Sequence, residues 1–286
     1  MHLLNFIGED GATRLGVIKD DAVVDLTARG YPASVDELLR SGQALIDAIQ
    51  ADWDALTAAV PMANIKWLPP VLNPSKAIAV GLNYADHAAE SPYKDAPTYP
   101  VLFHRFPSSW VAHDRPLIRP RISEQFDYEG EIAVVIGTAG RYIKPEDALK
   151  HVAGYSLFND GSIRDYQFKS TQWMMGKNVD ATGSFGPTLV TADALPAGAE
   201  GLQLQTRLNG QTLQDANTRD MIFKVPTLVA TCSEVFALQP GDVIISGTPA
   251  GVGFARKPAI FMKAGDVVEV EVQGLGVLRN TVQDEA

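Results

Sequence analysis

This chain of 286 residues has one cysteine, less base than acid and no long apolar run, and each shortage closes off a class of protein. Cys232 has no second thiol to pair with, so no intrachain disulfide braces the fold. It falls in a helix-like stretch, residues 228–236, with no histidine or basic neighbour to lower its pKa, so a small buried hydrophobe is expected there and not a nucleophile. Lysine and arginine number 24 against 34 aspartates and glutamates, a formal charge of −10, and no basic stripe offsets the difference. Nucleic acid and anionic membranes are thereby excluded as partners. No hydrophobic run reaches the length of a spanning helix. The opening Met1-His2-Leu3-Leu4-Asn5 has neither the basic region nor the cleavage site of a signal peptide, which leads to the expectation of a cytoplasmic protein.

Two catalytic signatures are also missing. The glycine-rich segment 246–253 lacks the Gly-Lys-Ser/Thr ending of a phosphate loop and the full dinucleotide fingerprint. Pro107-Ser108-Ser109-Trp110 does not form a nucleophile elbow.

What remains is an ordinary globular composition, 46% hydrophobic and 20% charged, long enough for a small unit and a larger one. Residues 1–70 carry two strand candidates around a Gly-Glu-Asp-Gly turn, a third at 22–26, and helical periodicity from about Ser34 to Val60. Leu68-Pro69-Pro70 and Asn73-Pro74 form a stiff connection, read as the domain boundary. From residue 71 to 286 strand-like runs dominate, at 77–80, 132–136, 202–206, 243–246 and 267–272, with few and short helices. The fold class expected is therefore α+β and β-rich, a sandwich or roll with helices packed outside and a small N-terminal α+β domain.

The densest chemistry lies in Asp127-Tyr128-Glu129-Gly130-Glu131. Side chains at i and i+2 of a strand share a face, so Glu129 and Glu131 would project side by side with Cα atoms roughly 6.5–7 Å apart. Parallel carboxylates repel, and on a half-buried strand a bound cation keeps both ionised most readily. Asp160, ending the β-like run 152–159, offers a third oxygen. All-oxygen ligation suits Mg²⁺ or Mn²⁺, with Ca²⁺ also admissible, better than Zn²⁺ or copper. The plainer alternative for Glu-x-Glu alone is the solvated face of an amphipathic strand.

Five further groups join this cluster. His87 and Glu90 share a helical face at spacing i, i+3, in a helix that Asn83 and Asp86 would cap, and a carboxylate beside an imidazole makes a general base. Polar residues 91–97 have the composition of a lid. Arg164 and Gln167 share a face of a helix that Ser162 and Asp165 would cap, and could meet an anionic substrate. Lys177 sits in a glycine-rich loop where an ammonium could stabilise an enolate, and Thr248 offers a hydroxyl among glycines whose amides could approach a small ligand.

Taken in order, Gly81-Leu82-Asn83-Tyr84-Ala85-Asp86-His87, Asp127-Tyr128-Glu129-Gly130-Glu131, Asn159-Asp160 with Arg164-Asp165 and Gln167, Gly176-Lys177, and 247–253 resemble the fumarylacetoacetate hydrolase family from about Lys76 onward. The resemblance implies a β-sandwich roll, usually a homodimer, with a divalent metal on Glu129, Glu131 and Asp160. It implies that His87 and Glu90 activate water under a closing lid and that Lys177 polarises the substrate. Arg105 stands where the family generally has lysine, at a contact to the substrate carboxylate, and Gly161 and Ile163 replace the usual Val and Ala. Motifs and resemblance together point to metal-assisted hydrolysis of a carbon–carbon bond in a β-diketo acid such as an acylpyruvate. Decarboxylation of oxaloacetate-like acids, hydration or isomerisation of 2-hydroxydienoates, and non-catalytic dicarboxylate binding are the alternatives.

Overall fold

A computed structural model describes residues 1–92 and 95–286, so part of the lid expected over 91–97 lies outside the described residues. In chain order the strands are β1 (His2–Ile7), β2 (Thr13–Lys19), β3 (Ala22–Asp25), β4 (Val60–Pro61), β5 (Lys66–Leu68), β6 (Ala77–Gly81), β7 (Val101–His104), β8 (Trp110–Ala112), β9 (Leu117–Arg119), β10 (Phe126–Asp127), β11 (Gly130–Ile136), β12 (Val152–Asn159), β13 (Ser162–Ile163), β14 (Gly183–Thr191), β15 (Gln203–Leu208), β16 (Gln211–Asn217), β17 (Val243–Ile245), β18 (Val267–Val272) and β19 (Gly276–Asp284). The helices are α1 (Val35–Ser41), α2 (Gln43–Ala51), α3 (Ala85–Glu90), α4 (Arg164–Gln167), α5 (Met174–Lys177) and α6 (Val225–Val235).

Strands β4-β3-β2-β1-β14-β12-β11-β17-β6-β7 form one large mixed sheet, and β16-β15-β18-β19-β9 form a second. Alternation along β11 shows how they pack. Ile132, Val134 and Ile136 enter a core with Leu204, Val270 and Leu278 of the second sheet and Leu228 and Cys232 of α6. Ala133 and Val135 enter the opposite core with Leu3, Leu15, Val24, Leu38 and Ile49. Every residue of β11 is buried, which is why its sequence reads as a continuous apolar run and not as the half-buried strand expected.

The N-terminal residues join the large sheet through β1 and β14, with Leu3 opposite Leu189. The proline connection is anchored to them by Asn5, whose amide donates to the carbonyls of Pro69 and Pro70 at 3.0 and 3.1 Å while its Oδ1 accepts from the Val35 N–H at 2.8 Å. The helix expected over 34–60 is broken instead. Gly42 takes φ +90°, a left-handed conformation that ends α1, and the chain leaves α2 after Ala51. Ser34 does cap α1, accepting from the Glu37 N–H at 3.2 Å.

Two other caps are not formed. Asn83 turns away from α3 to accept from the Phe223 N–H at 2.7 Å and donate to Ser246 O at 2.7 Å, and Ser162 donates to Asp160 O at 2.8 Å. A tertiary partner outcompetes the helix end at Asn83, whereas at Ser162 a carbonyl two residues back does. None of the described helices is long and apolar enough to cross a membrane.

Sheet directions place the chemistry. β11 starts, and β12, β17 and β6 end, on the same edge of the large sheet, because β12 and β17 run antiparallel to β11 and β6 runs parallel to β17. Residues 81–90, 129–131, 159–167 and 246–254 therefore emerge together. Leu157 is fully buried opposite Ile132 at the centre of this arrangement. Leu157→Ala should lower unfolding free energy by roughly 2–5 kcal/mol in urea titrations, the range for a truncated core leucine.

Candidate active site

Glu129 and Glu131 flank Gly130 where β11 begins, and the Asp160 N–H, just beyond β12, donates to Glu129 O at 2.8 Å. Oxygens of Glu129, Glu131 and Asp160 lie within 4.8 Å of one another, and each residue is at most 4% exposed. The solvated-face alternative is thereby ruled out. A cluster of oxygen donors at this separation suits a hard divalent cation with ligand distances of about 2.0–2.6 Å.

Buried acid here meets buried base. Lys177 Nζ lies 2.6 Å from Glu129 Oε2 and 2.7 Å from Asp160 Oδ2. Arg164 Nη1 lies 2.7 Å from Glu129 Oε1 and donates to Gln167 Oε1 at 2.9 Å, while its Nε donates to Asp127 Oδ2 at 2.8 Å. Arg105 pairs with Asp160 Oδ1. Glu131 has no ion pair among the described residues and accepts only the Gly247 N–H at 2.5 Å.

The consequences for protonation diverge. Burial raises the pKa of Glu129, but Lys177 and Arg164 outweigh it and hold the carboxyl at about 2. Burial, reinforced by the charges of Asp160 and Glu129, pushes Glu131 well above the usual carboxylate range. Glu131 is thus the carboxyl that must lose a proton before all three can serve as ligands.

His87 projects from α3 into the same cavity, 6% exposed, with Nδ1 3.1 Å from Glu90 Oε1. Donation of Nδ1–H to that carboxylate leaves Nε2 as the basic nitrogen. Glu90 in turn accepts from the Gly251 N–H at 3.0 and 3.1 Å. The cavity has a volume of about 30 Å³. Glu129, Glu131, Asp160, Lys177, Arg164 and Gln167 make its polar wall; Leu82, Phe103, Phe168, Trp173 and Phe254 make the apolar one. Ser91 and Pro92, at the start of the expected lid, also line it.

Of the residues singled out by sequence, His87, Glu90, Glu129, Glu131, Asp160, Arg164, Gln167 and Lys177 come together. Two stand differently from expectation. Arg105 does not line the cavity: its guanidinium is held behind Asp160 by Gly161 O at 3.2 Å, Ser109 Oγ at 3.0 Å and Ser109 O at 3.1 Å, so it orients a carboxylate of the protein. Thr248 lines the cavity, but its hydroxyl donates to Gly130 O at 3.0 Å and accepts from Gln214 Nε2 at 2.8 Å. The amides of Gly247, Gly251 and Gly253, read as ligand-facing, bind the protein's own carboxylates. Gln214 carried no signal in sequence, whereas Asp127, the first acid of the alternating stretch, was visible but unassigned.

The profile of one family, Fumarylacetoacetate (FAA) hydrolase C-terminal, matches residues 76–283. The chain belongs to the fumarylacetoacetate hydrolase family. A curated relative, the mitochondrial oxaloacetate tautomerase fahd2 of Xenopus laevis, is 39% identical over 289 residues, covering 99% of this chain and 90% of that protein. Among solved structures, the fumarylacetoacetate hydrolase EaFAH of Exiguobacterium antarcticum aligns over 100% of both chains with TM-score 0.87 and 38% identity. Maleylpyruvate hydrolase of Sphingobium sp. SYK-6, in complex with manganese(II) and pyruvate, aligns over 100% of both with TM-score 0.83 and 30% identity. The family is one of enzymes acting on small keto acids, and the β-rich roll expected from sequence is its fold.

Because cation binding must displace the Glu131 proton, affinity should rise with pH. Below the raised pKa of that carboxyl, Mn²⁺ affinity measured by calorimetry should increase about tenfold per pH unit with release of about one proton, and Glu131→Gln should flatten the dependence.

Proposed function

We propose that this protein is a divalent-cation-dependent enzyme that interconverts the enol and keto forms of a short 2-keto dicarboxylic acid, with oxaloacetate the first substrate to test. The geometry supports proton transfer at an enolisable carbon. The likeness to an oxaloacetate tautomerase across 99% of this chain carries the choice of reaction.

Glu129, Glu131 and Asp160 would hold Mg²⁺ or Mn²⁺, which when bound supplies Lewis-acid polarisation of the substrate oxygens. The remaining roles belong to side chains. Arg164 Nη2 is buried without a hydrogen-bond partner among the described residues, a donor suited to a substrate carboxylate, with Gln167 beside it. Lys177 has two donors engaged by Glu129 and Asp160, and its third can stabilise negative charge on the enolate oxygen. His87, held by Glu90, takes a proton from one tautomer and returns it at the other atom of the enol system through Nε2. The apolar wall excludes water from that exchange.

A second reading, hydrolysis of an acylpyruvate, is favoured by the likeness to maleylpyruvate hydrolase and by the same dyad, which could activate water. Decarboxylation of oxaloacetate would use the cation platform without His87. Three products separate these outcomes. On Mn²⁺-loaded protein, accelerated loss of oxaloacetate enol absorbance without pyruvate supports the tautomerase. Pyruvate from oxaloacetate supports decarboxylation, and stoichiometric carboxylic acid from an acylpyruvate supports hydrolysis. His87→Ala should lower tautomerisation by roughly 10²–10⁴-fold with Mn²⁺ affinity retained. A variant as fast as wild type would remove His87 from the mechanism.

A further inference from the structure

Asp127 is fully buried and touches no part of the cavity, yet its carboxylate accepts four hydrogen bonds. Oδ1 takes the N–H groups of Tyr128 and Gly253, both at 2.8 Å; Oδ2 takes the Phe254 N–H at 3.0 Å and Arg164 Nε at 2.8 Å. Phe254 completes the grip, since the Arg164 guanidinium carbon lies 4.5 Å from its ring centroid.

The segment held in this way is not an ordinary loop. Its Gly247 N–H binds Glu131, its Gly251 N–H binds Glu90, and its Gly253 and Phe254 N–H groups bind Asp127. One backbone stretch therefore fastens a cation ligand, the partner of the general base and the partner of the anion-binding arginine. Gly253 must be glycine for the approach, because a Cβ there would sit 1.9 Å from Ile260 O and 2.6 Å from Asp127 Oδ1. Tyr128 adds a further tie, donating from its hydroxyl to Gly251 O at 3.1 Å.

We propose that Asp127 is a positioning residue for the reaction: it aims Arg164 Nη2 into the cavity and locks the 247–254 segment to the strand that carries Glu129 and Glu131. This inference rests on the reading of Arg164 as the anchor for a substrate carboxylate. With Nε bound to Asp127, Nη1 bound to Glu129 and Gln167, and a ring against its face, the guanidinium plane is fixed and only Nη2 is left for a ligand. All four partners of Asp127 are donors, so the amide of an Asp127→Asn side chain, similar in size, must set N–H against N–H on one side.

The test is a double-mutant cycle on Mn²⁺-loaded protein, read by calorimetric binding of malate. Malate has the four carbons and both carboxylates of oxaloacetate but no keto group to enolise, so the measurement is independent of turnover. Asp127→Asn should weaken malate at least tenfold while Mn²⁺ affinity stays within about threefold. In an Arg164→Ala background the same change should weaken malate by less than twofold, because its effect runs through the arginine. Losses that multiply in the double variant, or undiminished malate affinity in folded Asp127→Asn, overturn the proposal. If Asp127→Asn does not fold, Asp127→Glu keeps the charge but shifts the carboxylate by one methylene. It should weaken malate at least threefold, and unchanged affinity again overturns the proposal. Arg164→Ala that binds malate as wild type does would instead sink the anchor reading, and the inference with it.

Discussion

Four carboxylates, those of Asp127, Glu129, Glu131 and Asp160, converge out of contact with bulk water, and the surrounding structure answers that charge. An ion left unpaired in such a setting loses several kcal/mol of hydration, so each acid must find a cation or several aligned donors. Arg164, Lys177 and Arg105 provide the cations, and backbone amides provide the donors. Among the described residues, Glu131 alone of the four has no cation in contact. Its raised pKa records that imbalance, which a divalent cation held by Glu129, Glu131 and Asp160 would offset.

The same requirement explains the shape of the 247–254 segment. Amides at Gly247, Gly251 and Gly253 can point inward at carboxylates because no side chain stands between the backbone and its neighbours. At Gly251, where φ is +103°, a Cβ would lie 2.2 Å from Leu213 O. Glycine richness in this segment therefore has an internal purpose, fastening the protein's own acids.

Much of the chemistry was visible along the chain because it follows local periodicity. Glu129 with Glu131 at i, i+2, His87 with Glu90 at i, i+3, and Arg164 with Gln167 at i, i+3 each share a face by covalent geometry alone, and the structure brings each pair together. The strand at 152–159 was equally plain, since its apolar run lies between turn signals. Arg105 and Gln214 were opaque for the opposite reason. Their partners, Asp160 and Gly130, are 55 and 84 residues away, and no local pattern encodes that meeting. The cap at Asn83 failed similarly: the motif was present, but Phe223 and Ser246, from distant segments, offered hydrogen bonds that a helix end could not match.

Family, β-rich class, the oxygen-only donor set and the pairing of His87 with Glu90 could all be read along the chain, because these depend on residue type and on spacings of two or three positions. Which acids meet which bases follows from the fold alone, and with it the opposite shifts of Glu129, held low by Lys177 and Arg164, and Glu131, pushed up by burial and neighbouring carboxylates. The fold also turned Arg105 and the glycine-rich amides inward, toward the protein and away from a ligand. Electrostatic energies depend on distance through space and on the exclusion of water, and both were set only when four strand ends reached one edge of the sheet.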